Sequence, residues 1–179
     1  MMYVGDWKNR MPIAAKIGIP DVECEWARDI FPYLHNGESA GPGDLRLCTG
    51  VLHCPSTKYE GSVLVAKLGY GWNWYYMGYY EANPMAQFQH QKLTDITRPG
   101  DSLLLGDTTD WYSGLWQLAY IYSPLHATHP VYTLYPPVGD RHGEGINLLW
   151  GDSHVAWMSQ TALMSGENGD PDWYFQRVK

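Results

Sequence analysis

The residues best suited to chemistry lie in two stretches of the C-terminal half. His142, Asp152 and His154 fall within Arg-His-Gly-Glu-Gly-Ile-Asn-Leu-Leu-Trp-Gly-Asp-Ser-His-Val, residues 141–155. Asp107 and Asp110 come from Gly-Asp-Thr-Thr-Asp, residues 106–110. Imidazole and carboxylate together can hold a divalent metal, which would make His142, Asp152 and His154 the centre of a metal-dependent hydrolase. Carboxylates alone suit calcium, for which the oxygen donors would be Asp107, Asp110 and Asp152. No nucleophile elbow, phosphate loop, His-Glu-x-x-His or pair of Cys-x-x-Cys knuckles accompanies them.

The secondary structure around these groups argues against the hydrolase. Ile146 to Trp150 reads as an apolar strand, Gly151-Asp152-Ser153 as a tight turn, and His154 to Met158 as the returning strand. An extended strand holds His142 and Asp152 roughly 15 Å apart. They meet only if Gly143-Glu144-Gly145 folds back. The expectation is therefore a structural hairpin: Asp152 caps the turn through nearby backbone, and His142 bonds a neighbouring loop.

Three cysteines, Cys24, Cys48 and Cys54, make an odd total. Cys48 and Cys54 enclose a short loop and are expected to form a disulfide in an oxidising compartment. Three buried thiols are the rival reading. Zinc on Cys48, His53 and Cys54 is disfavoured, because the ligands lack a paired knuckle.

Other elements follow from pattern. Residues 21–35 carry a helix signal, with Asp21 as N-cap and Trp26, Ile30 and Leu34 at helical spacing; Pro32 should stop or kink it near Phe31. Ser62 to Leu68, Leu103 to Asp107 and Gln117 to Ser123 read as further strands, His126 to Pro137 as an irregular excursion. A last helical turn should begin after Ser159. No repeat or long linker divides residues 1–179, so one α+β domain with an antiparallel sheet is expected.

A net charge of −7 with no basic cluster disfavours a nucleic-acid partner, and no apolar run approaches a membrane span. Nine Trp and fourteen Tyr against three Phe favour half-wet surfaces, since both rings pair an apolar face with a polar edge. The densest cluster runs from Tyr70 to Tyr80. If it were a strand, Trp72, Trp74 and Tyr76 would share one face and Tyr75 the other. Such rings could form a platform for glycans or a neighbouring subunit; the plainer expectation is that most of them fill the core.

Several segments resemble, in order, a bacterial family with prepilin-type N-termini, known from Planctomycetes, Verrucomicrobia and Lentisphaerae. His142, nine residues, then Asp152-Ser153-His154 resembles its C-terminal His, nine residues, Asp-Gly signature. Tyr3-Val4-Gly5-Asp6-Trp7-Lys8-Asn9-Arg10-Met11-Pro12, Trp26 with Pro32-Tyr33-Leu34, Cys54-Pro55-Ser56, Tyr70-Gly71-Trp72-Asn73, and Arg98-Pro99 before Leu105-Gly106-Asp107 resemble its other elements. The resemblance implies a pilin-like fold, an N-terminal helix packed on an antiparallel sheet with long loops. It also implies a non-enzymatic subunit of a type II secretion or surface-filament system. Such a subunit is extracytoplasmic, partners like subunits, and is anchored by a leader-bearing apolar helix that these residues do not contain. The natural protein is then expected to be longer and membrane-anchored. Some pseudopilins stabilise a loop with calcium, which lends the three aspartates slight support. Ser153 departs from the family's Gly. The expectation is a shifted type II′ turn centred on Gly151 and Asp152, with Ser153 outside positive φ.

Overall fold

A computed structural model of the chain describes residues 10–12, 25–41, 44, 49–57, 69–77, 92–108, 120–121, 123–124 and 141–176. Helix α1 spans Glu25–Leu34, and strand β1, Tyr70–Asn73, runs directly into a single helical turn, α2, Trp74–Met77. Strands β2, Leu103–Asp107, β3, Tyr120–Ile121, β4, Gly145–Trp150, and β5, Val155–Ser159, follow, and helix α3, Gln160–Ser165, closes the order. The sheet order is β3-β1-β2-β4-β5. β1, β2, β4 and β5 are antiparallel neighbours, and β3 lies parallel to β1 at the edge. The expected α+β architecture is present. Among the described residues no helix is long and apolar enough to cross a membrane.

Apolar periodicity places the core. Leu103, Ile146, Leu148 and Trp150 bury one side of the sheet with Ile121, Leu163, Tyr174 and Phe175. Along β5 the exposed Val155 and Trp157 alternate with the half-buried Ala156 and Met158, which pack against this core, as a period-2 edge strand requires. Pairing between β2 and β4 shifts by one residue between Leu103 and Leu105. Such an irregularity breaks strict alternation, and Leu103 and Leu104 are both buried.

The C-terminal segment, which carries no clear periodic signal, is tied down by polar bonds. The Leu103 amide donates to the Tyr174 carbonyl at 2.7 Å, and Ser102 Oγ to the Gln176 carbonyl at 2.9 Å. Asn73 Nδ2 donates at 2.9 Å to both the Leu103 and Phe175 carbonyls, and Arg98 stacks its guanidinium 3.7 Å over the Trp173 ring. Buried Asp172 accepts from Tyr76 Oη at 2.7 Å and Ser123 Oγ at 3.0 Å.

Several expectations are corrected. Of the stop or kink expected at Pro32, the stop does not occur: α1 passes through Pro32 to Leu34. The proline forgoes only one amide bond of the ladder, and the helix closes beyond it through the Gly37 amide on the Pro32 carbonyl, with Asn36 left-handed at φ 53°. The aromatic cluster is not one strand, because alternation ends at Asn73 where α2 begins. Trp72 is 6% exposed and stacks on Trp26, with ring centres 6.4 Å apart. Half-buried Tyr76 is engaged by Asp172. Trp72 and Tyr76 therefore form no open platform; the side chains of Trp74 and Tyr75 lie outside the described residues, as do Asp21, Ser62 to Leu68 and His126 to Pro137. Of Gln117 to Ser123, Tyr120 and Ile121 are in a strand. α3 begins as expected, its N-cap Ser159 accepting from the Ala162 amide at 3.2 Å.

The hairpin turn also differs from expectation. Gly151 and Asp152 are central, with the Ser153 amide donating to the Trp150 carbonyl at 2.9 Å, but neither central residue has positive φ. Ser153 itself adopts φ 77°. A three-residue loop closes with a left-handed third residue, so the strain falls on Ser153 and a type II′ turn is not formed. Gly151 is required by packing instead: a Cβ there would lie 3.0 Å from the Pro99 carbonyl oxygen. Ser153→Gly should consequently stabilise the protein by about 0.5–1 kcal/mol, measured by denaturant unfolding. A destabilisation would show that Ser153 makes a contact worth more than its backbone strain.

Candidate functional site

The hairpin separates its two histidines. At the β4–β5 turn, Asp152 Oδ1 accepts from the His154 amide at 3.0 Å and lies 2.6 Å from His154 Nδ1. The His154 ring stacks on Trp150 at 5.7 Å. Asp152 thus caps the turn through nearby backbone, as expected. Its carboxyl is held below the usual range first by the backbone N–H of His154 and then by the imidazole. Because its folded pKa is depressed, any stability it contributes is present above the unfolded carboxyl's pKa and is lost as pH falls through the folded value. By NMR titration, His154→Ala should raise the Asp152 pKa only partway, since the backbone donor remains.

His142 lies at the other end of β4. The turn Gly143-Glu144 is left-handed at both residues, φ 67° and 61°, and the His142 amide donates back to the Gly145 carbonyl at 3.2 Å. The segment does fold back, but towards β2 and not towards Asp152. His142, Asp152 and His154 are therefore not one centre, because six residues of β4 intervene. Indole Nε1 of Trp157 donates to the His142 carbonyl at 2.8 Å and fixes the turn from outside.

There His142 meets two groups from distant segments. Its Nε2 is 3.3 Å from Asp107 Oδ2 at the end of β2 and 3.6 Å from Cys54 Sγ in the loop of residues 49–57. Asp107 is fully buried, and its Oδ2 also accepts from the Asn147 amide at 2.7 Å. Its Oδ1, equally buried, has no hydrogen-bond partner. Cys54 is a buried, free thiol, so the expected Cys48–Cys54 disulfide is not formed; Cys48 lies outside the described residues. With Cys48 likewise outside, the ligand set Cys48, His53 and Cys54 is not assembled by the described residues, and Cys54 faces Asp107 and His142 instead.

Two further side chains close the cluster. The Tyr70 phenol bonds Cys54, and its pKa is pushed up to about 12, chiefly by burial, with Cys54 and Asp107 adding to the effect. Arg141 Nη1 donates to the Gly69 carbonyl at 2.6 Å. Gly69 has φ 76°, and a Cβ there would lie 2.6 Å from Cys54 Cβ. Glycine is what lets the loop carrying Cys54 approach β1.

The arrangement is not a nucleophilic triad. A catalytic dyad needs the acid on one imidazole nitrogen and the nucleophile on the other, whereas Asp107 and Cys54 both address Nε2. Nor are the calcium candidates assembled. Asp107 and Asp152 sit at opposite ends of the sheet, since Leu103 pairs with Trp150 beside Asp152 while Asp107 ends β2. Asp110 lies outside the described residues.

On the opposite side of β2 and β4 from the core is an apolar groove of about 340 Å³, whose lining includes Trp26, Leu34, Val51, Leu105, Leu149 and Val155. Leu34, Val51 and Val155 are exposed at its rim.

Cys54, Asp107 and His142 stand out in the sequence as reactive residue types, but nothing there shows that the three meet. Each is polar beside an apolar strand or a turn, but no spacing rule links three such distant segments. Compared with models of protein families, with curated proteins and with solved structures, the chain matches none.

Proposed function

We propose that this chain is the globular part of a pilin-like or pseudopilin-like subunit. Its role is assembly with like subunits outside the cytoplasmic membrane, and it performs no reaction. The main support is a convergence. Cys54, Tyr70, Asp107 and His142 come from four separate segments that resemble the prepilin-type family, and all four side chains meet at one end of the sheet. Chance matches scattered along a chain have no reason to share a site. The antiparallel sheet agrees in outline with the pilin-like fold that the resemblance implies.

The gene encoding the natural protein tests this reading. Upstream of these residues it should encode an apolar stretch of about 20 residues, preceded by a leader cleaved by a prepilin peptidase. A native start at Met1, or an upstream sequence without such a stretch, would overturn it.

A further inference from the structure

We propose that Cys54, Asp107 and His142 bind a zinc-class divalent metal ion that clamps three distant segments together. The proposal does not depend on the assembly reading. One ligand atom from each residue lies within 4.8 Å of the others, and among the described residues this is the one such group of three.

The distances fit a metal better than a hydrogen-bonded cluster. Zinc bonds of about 2.3 Å to sulfur, 2.0 Å to nitrogen and 2.1 Å to oxygen, at tetrahedral angles, set sulfur and nitrogen ligands about 3.5 Å apart. The same geometry sets nitrogen and oxygen ligands about 3.4 Å apart. Here Cys54 Sγ to His142 Nε2 is 3.6 Å and His142 Nε2 to Asp107 Oδ2 is 3.3 Å. A charge-assisted imidazole–carboxylate bond would be about 2.7–2.9 Å. The Asp152–His154 pair in the same protein is shorter still, at 2.6 Å.

Direction agrees with distance. One nitrogen, Nε2, faces both the sulfur and the carboxylate, so a single N–H cannot point well at both, whereas a cation between the three satisfies all of them. Asp107, with none of its surface exposed, has one oxygen without a partner, so the site holds carboxylate capacity that the protein does not use. A thiolate, a carboxylate and a neutral imidazole neutralise a divalent ion. The thiolate favours zinc over calcium or magnesium. His142, with 26% of its side chain exposed, gives the ion a way in, and three protein ligands leave the fourth position to water.

Cobalt(II) and zinc(II) binding to the reduced, metal-free chain tests the proposal. One equivalent of cobalt should produce a thiolate-to-cobalt charge-transfer absorption, and zinc should displace it and raise the thermal midpoint. Cys54→Ser should abolish that absorption. His142→Ala, at a part-exposed position, should weaken zinc binding by at least about tenfold even if Cys54→Ser fails to fold. His154→Ala should bind as the unmodified chain does. No charge-transfer absorption in the unmodified chain, or its persistence in a folded Cys54→Ser, would overturn the proposal. So would unchanged zinc affinity in His142→Ala.

Discussion

Replacing Phe175 with alanine is expected to destabilise the protein by about 3–5 kcal/mol. The ring is fully buried among Leu103, Ile121, Ile146, Leu148 and Leu163, so truncation removes its transfer free energy and leaves a cavity between strands that cannot easily close. The backbone of Phe175 is fixed as well, its amide on the Asp172 carbonyl and its carbonyl on Asn73. Relaxation into the cavity would therefore break hydrogen bonds. Against a total stability of order 5–15 kcal/mol, much of the folded population is at stake. Chemical denaturation measures it. A loss below about 1 kcal/mol would mean that the segment around Phe175 does not seal the core.

Asn73→Ala should cost about 2–4 kcal/mol, although the residue contributes little apolar area. Its amide joins the sheet to the C-terminal segment, holding the Leu103 and Phe175 carbonyls at once. Alanine leaves both acceptors with one bond fewer in a site where Asn73 is itself fully buried. The loss is moderated because Asn73 Oδ1 has no partner, so its burial penalty disappears with it. The two substitutions should not be additive, since Asn73 acts through the backbone of Phe175. A double-mutant cycle showing independence to within about 0.3 kcal/mol would contradict that coupling.

The hairpin, the first strand it pairs with and the last helix were legible because local chemistry decides them. Ile146 to Trp150 is a short, mostly apolar run, Gly and Asp mark the turn, and Ser159 caps α3. Pro32 does not stop the helix because a proline near a helix end removes one bond and not the helix. Ser153 misled because the number of residues in the loop, not the identity of its central pair, determined where positive φ fell. The aromatic cluster misled because a period-2 reading assumes a strand that continues past Asn73. The candidate site was hardest of all. Cys54, Asp107 and His142 are brought together by the β1–β2–β4 pairing and by the fold-back at Gly143-Glu144, and such long-range pairing leaves no periodic trace in the chain. The expected disulfide failed for the same reason: proximity in sequence to Cys48 carried no information about Asp107 and His142.

On the proposed reading, this domain belongs to a processed, membrane-anchored assembly subunit. The most direct test is the mass of the mature protein isolated from its own cells. The expected result is a membrane-associated form, shorter than the gene product by a cleaved leader and converted to the longer precursor when the prepilin peptidase is deleted. A mature protein whose mass is indifferent to that peptidase would contradict it.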